Sequence, residues 1–118
     1  LFIKNSNTEG LNMADRVSAS HILITHTESP NTKATRSLED ALEEIKGIRK
    51  ELEDGAIFAE LASSRSDCPS KSRGGYLGKF GRGQMVPPFE TAAFKLDVGS
   101  TSEIIETEFG YHLIYRDG

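Results

Sequence analysis

Tryptophan is absent from these 118 residues, and cysteine occurs once, as Cys68. A lone cysteine excludes an internal disulfide and any zinc site built on several thiolates. The three histidines and Cys68 share none of the close spacings of zinc ligands, so no metal is expected. No apolar run approaches the roughly 20 residues of a membrane-spanning helix. The opening Leu1-Phe2-Ile3-Lys4 lacks the apolar stretch of a secretory signal. The chain is expected to be soluble and intracellular, with no membrane partner. Positive charge is short too: 14 Lys and Arg against 18 Asp and Glu leave a net charge of −4. That balance argues against nucleic acid as a partner and requires any phosphate site to be local. The glycines around Gly81-Arg82-Gly83 form neither a strand-GxGxxG-helix unit nor a P-loop, so no nucleotide cofactor is expected.

Hydrophobic residues at 36% and charged residues at 27% give the balance of one globular domain. The chain opens on Leu1, and Met13 is the only early start, so a longer chain with an upstream targeting module is expected. Residues 1–16 show no period and read as a linker or tail; residues 17–118 read as the domain. Val17 to Thr25 is rich in β-branched residues and predicts a strand containing His21. Ser37 caps a helix whose apolar positions Leu38, Ala41, Leu42, Ile45, Ile48 and Leu52 recur at helical spacing, with Glu39 and Asp40 in its first turn and Gly55 beyond its end. Phe58, Leu61 and Ala62 predict a shorter helix. From Ser63 to Gly83 periodicity vanishes, predicting a long, basic, glycine-rich loop of functional character. Pro87-Pro88 opens another helix with Phe89, Ala92, Ala93 and Leu96 on one face. Ile104 to Thr107 and Tyr111 to Tyr115 predict a terminal hairpin. The fold class is α+β, an antiparallel sheet surrounded by helices.

His21 on the first strand, Cys68 in the loop, and Thr107 and His112 on the hairpin are the polar candidates for chemistry. A lone strand histidine is ordinarily a hydrogen-bonded structural group. Cys68 reads as a buried small hydrophobe, as a nucleophile paired with histidine, or as a polar site wall; Asp67 beside it opposes thiolate formation. Leu77, Met85, Val86 and Phe89 read either as ordinary core or as an apolar pocket with a polar rim.

Six short motifs stand in order along the chain: Ser20-His21-Ile22-Leu23, Ser66-Asp67-Cys68, Gly74 to Gly78, Phe80 to Met85, Pro88-Phe89-Glu90 and Phe109 to Ile114. Together they resemble the parvulin peptidyl-prolyl cis/trans isomerases from about Val17 to Arg116. The Asp-Cys pair and the Arg-Gly-Gln-Met run are most similar to the eukaryotic branch that acts on phospho-Ser/Thr-Pro bonds. The resemblance implies a small antiparallel sheet wrapped by helices and a rotamase acting on Xaa-Pro bonds of protein or peptide substrates without cofactor. It implies His21, Cys68, Thr107 and His112 as catalytic residues, and Leu77, Met85 and Phe89 as the proline pocket with Gln84 alongside. It further implies a monomer of nucleus or cytoplasm.

The departures bear on specificity. The phospho-directed branch carries a lysine at the end of the first strand and an arginine pair in the following loop. Here Thr25 takes the lysine's place and Thr27 to Asn31 contains no arginine; Lys33 and Arg36 are the cations left to contact a phosphate or acidic residue. Phe109, in Glu-Phe-Gly-Tyr-His, follows parvulins without phosphate selectivity. A weak phosphate preference is expected. The competing reading is a binding module for proline-containing segments with little catalysis.

Overall fold

The computed structural model describes residues 16–30 and 32–118. The linker or tail assigned to residues 1–16 lies outside the described residues, except that Arg16 already belongs to the first strand. In order the elements are β1 (Arg16–Ile24), α1 (Leu38–Glu53), α2 (Phe58–Arg65), a 3-10 turn (Pro69–Arg73), β2 (Tyr76–Gly81), α3 (Pro87–Lys95), β3 (Ile105–Thr107) and β4 (Gly110–Arg116). The sheet runs β2-β1-β4-β3, and every neighbouring pair is antiparallel. The α+β class holds. Ser37 caps α1, its hydroxyl accepting from the Asp40 N–H at 3.0 Å, and Pro87 and Pro88 open α3 where no N–H is needed.

The stretch from Ser63 to Gly83 is not one loop. It finishes α2, makes the 3-10 turn and then supplies an edge strand, β2. Gly78 and Gly81 weaken the alternation that would have marked this strand, and β1 provides the template it pairs with. Ala19 opposes Gly78 while Ser20 opposes Tyr76, so Leu77 is the extra residue of a bulge. Bulges redirect side chains beside functional sites.

Residues of the two central strands alternate between two cores. Ile22, Ile24, Tyr111 and Leu113 face α1 and α2, meeting Ala41, Ile45, Ile48 and Ala62. Val17, Ala19 and Ile114 face the other way, onto Phe80 and onto Phe89 and Ala93 of α3. His21 and His112 occupy this second face, because side chains two residues apart along a strand share a side.

Candidate active site

The register of β1 and β4 brings the two histidines together. His21 opposes Ile114 and Leu23 opposes His112, which makes the imidazoles diagonal neighbours, a separation aromatic side chains span. Their Nδ1 atoms lie 3.1 Å apart. On β3 the same side carries Thr107, whose Oγ1 is 2.7 Å from His112 Nε2. The backbone N–H of Phe109 donates to Thr107 Oγ1 at 3.1 Å.

The row can run in two directions. If the Thr107 hydroxyl donates to His112 Nε2, His112 carries its proton on Nδ1 and donates to His21 Nδ1, leaving His21 protonated on Nε2; run the other way, the Thr107 hydroxyl accepts from His112 Nε2 and must place its own hydrogen elsewhere. His21 Nε2 is buried without a protein partner among the described residues. A buried polar atom of this kind costs about 1–3 kcal/mol, which marks the position as one not optimised for stability alone.

Both imidazoles are neutral at physiological pH. Burial lowers the His21 pKa to about 4; burial and the neighbouring His21 lower that of His112 to about 3. Phe89 of α3 closes the pair from above, its ring nearly perpendicular to His21 at 5.5 Å and to His112 at 5.4 Å. The depth of the pair matters for its role: His21 is 6% exposed and His112 3%. At that depth the pair lies beneath the surface of the sheet.

Leu77, Met85 and Val86 are half-buried and pack against the cluster containing Phe89 and Phe80. Phe89 itself is buried. Exposed Gln84 turns back on its own loop, its side-chain oxygen accepting from the Gly81 N–H at 2.6 Å.

Cys68 is half-buried and free. Its segment is pinned to β1 from both ends: the Asp67 N–H donates to Leu23 O at 2.7 Å, and the His21 N–H donates to Gly75 O at 2.9 Å. Gly75 adopts φ +86°, and a Cβ there would run into the His21 carbonyl oxygen, so only glycine permits this approach. Among the described residues no hydrogen bond joins the thiol to either imidazole, so the nucleophile-histidine pairing is not assembled.

The rim differs from the interior. A cavity of about 520 Å³ is lined by Thr25, Pro30, Lys33, Arg36, Asp67 and Phe109, among others. Arg36, one of the two cations left to contact a phosphate, is already paired. Its guanidinium donates to Asp67 Oδ2 at 2.6 Å and to Thr25 O at 3.0 Å. The Thr25 N–H and hydroxyl reach the same Asp67 oxygen at 2.9 Å each. Burial pushes the Asp67 carboxyl up, but the Thr25 N–H, the Arg36 guanidinium and the Thr25 hydroxyl together hold it below its usual value. Lys33 is exposed on the rim and forms no ion pair among the described residues. No group of three or more His, Cys, Asp or Glu side chains among those residues converges as a metal site.

Sequence reasoning passed over His26 and Ser29, which are buried beside the hairpin. They lie in a polar loop without periodicity, and the Phe109 carbonyl to which Ser29 donates is 80 residues away.

Comparison with known proteins agrees with this architecture. Residues 21–118 match the family described as Rotamase, the PPIC-type PPIase domain. The chain is 47% identical over 113 residues to peptidyl-prolyl cis-trans isomerase Pin1 of Arabidopsis thaliana, covering 86% of this chain and 95% of the relative. It is 43% identical over 116 residues to the protein of the same name from Digitalis lanata, covering 89% and 98%. The solved structure of peptidyl-prolyl isomerase ESS1 from Candida albicans superposes with a TM-score of 0.84 at 40% identity, over 91% of this chain and 65% of that one. The chain belongs to the PPIC-type peptidyl-prolyl cis/trans isomerases, the parvulins. It is a rotamase that acts on proline-containing protein substrates. Among the described residues no helix is long and apolar enough to cross a membrane.

Proposed function

We propose that this rotamase turns Xaa-Pro bonds without covalent chemistry and with little preference for phosphate on the residue before proline. Rotation about the bond must overcome about 18–20 kcal/mol because the twisted state loses amide resonance. No bond is broken, so binding the twisted form better than the planar one suffices. The pyrrolidine ring rests on Leu77, Met85 and Phe89, where a dry wall disfavours the more dipolar planar amide. Half-buried Cys68 borders the rotating carbonyl as a polar wall. Thr107, His112 and His21 form the hydrogen-bonded floor that fixes β1, β3 and β4 relative to one another. Residues 17–118 act as the catalytic unit, and the free thiol of Cys68 supports a nuclear or cytoplasmic setting, where thiols stay reduced.

The observation carrying the specificity is the pairing of Arg36 with Asp67. A phosphate at this rim would compete with a carboxylate already in place, and Lys33 alone offers an exposed contact worth about 0–1 kcal/mol, screened by salt. Exchange NMR on Ser-Pro, Glu-Pro and phospho-Ser-Pro peptides should give kcat/KM values within about tenfold of one another, a span of about 1.4 kcal/mol. Asp67→Asn, which frees Arg36, should shift the ratio toward the phosphopeptide. A preference of about a thousandfold in the native protein, lost in Lys33→Ala or Arg36→Ala, would overturn this reading.

A further inference from the structure

Ser29 is 7% exposed and stands in the turn after β1, far from Leu77, Met85 and Phe89 and from Cys68 in sequence. The turn is closed twice over. The His26 N–H donates to Ser29 Oγ at 3.1 Å, and the Ser29 N–H donates to His26 O at 3.0 Å. The His26 ring joins it, its Nδ1 accepting from the Glu28 N–H at 3.2 Å, while Pro30 restricts Ser29 to extended backbone. Because Ser29 Oγ already accepts from His26, its own hydrogen is free to donate, and it does so to the carbonyl oxygen of Phe109 at 2.8 Å.

Phe109 is the residue whose N–H donates to Thr107 Oγ1. Its side chain is 41% exposed, so packing does little to hold it; Ser29 secures its carbonyl and Thr107 receives its N–H. With the Phe109 N–H in place, a Thr107 hydroxyl that also accepted from His112 Nε2 would have both lone pairs filled and a single direction left for its hydrogen; without that N–H the restriction is lifted and the two proton orders of the row become comparable. We infer that Ser29 is a positioning residue of the isomerase: by holding Phe109 it fixes the direction of the Thr107–His112–His21 hydrogen-bond row, and with it the sign of the dipole beneath the rotating amide.

The test combines imidazole 15N NMR with kinetics on Ser29→Ala, Ser29→Cys and Ser29→Thr in the full chain. In the native protein His112 should carry its proton on Nδ1 and His21 on Nε2. In folded Ser29→Ala both rings should show a mixture of tautomers, and kcat should fall by about fivefold with KM within about twofold, the pattern of a lost transition-state contribution. Ser29→Thr, which keeps the hydroxyl, should restore the single pattern. Ser29→Cys preserves size with a weak donor and decides the case if Ser29→Ala does not fold; it too should show mixed tautomers. A native tautomer pattern and native kcat in folded Ser29→Ala or Ser29→Cys would overturn the inference, since a simple loss of stability leaves the proton order of the folded protein unchanged.

Discussion

The two faces of the sheet are made from alternate residues of the same strands, yet one has an aliphatic centre and the other holds a polar row. Toward α1 and α2, Ile22, Ile24, Ile45, Ile48 and Leu113 are wholly buried without a polar side-chain atom among them. Toward α3, Val17, Ala19 and Ile114 share their side with His21 and His112. The aliphatic face gains from every methylene removed from water. The opposite face keeps two desolvated imidazoles and a buried orphan nitrogen, which add no comparable stability. One face holds the fold together and the other gives it a site.

The sharpest way to break that contrast is to damage the aliphatic face. Leu113→Ala should lower unfolding free energy by about 2–5 kcal/mol in denaturant titration, while kcat/KM per folded molecule stays within about twofold. On the polar face, His112→Leu alone leaves Thr107 and His21 without their partner and should cost about 1–3 kcal/mol. The His21→Leu/His112→Leu double variant, which removes the row's two imidazoles together, should be more stable than that single variant. Met85→Ala should reverse the pattern of Leu113→Ala: kcat/KM falls by about tenfold, or about 1.4 kcal/mol of transition-state stabilisation, with a smaller change in stability.

The pH dependence separates the faces further. Both histidine pKa values are lowered on folding, to about 4 and about 3, so as pH falls below about 6.5 the unfolded chain takes up protons first. The histidine contribution to stability should be flat above neutrality and then decline toward pH 4 and below, by up to about 1.4 kcal/mol per pH unit for each histidine. The double leucine variant should lose this part of the acid sensitivity. The smallest effect is expected at Cys68, where Cys68→Ser retains partial activity because no bond to sulfur forms during rotation; a covalent substrate adduct at Cys68 would contradict that.

Much of this was legible in the residues. Helix α1 announced itself through Ser37, its periodic Ile45 and Ile48, and Gly55, because capping and periodicity are local signals. The terminal hairpin and the strand bearing His21 were readable for the same reason. Strand β2 was not, since its pairing with β1 is supplied from elsewhere in the chain and its bulge at Leu77 breaks alternation. In the site, the motifs singled out His21, Thr107 and His112, which the folded chain brings onto one row, but their depth was invisible, because burial is set by α3 packing over them. Arg36 looked like a free cation; only the folded chain brings it to Asp67, 31 residues away.

The most direct test is the isomerisation rate of the folded His21→Leu/His112→Leu variant on an unphosphorylated Xaa-Pro peptide, measured by exchange NMR. If the buried row is a floor beneath the site rather than a partner of the substrate, kcat/KM should fall by only about tenfold. A folded double variant with no rate above the uncatalysed reaction would show that the imidazoles act on the rotating bond themselves.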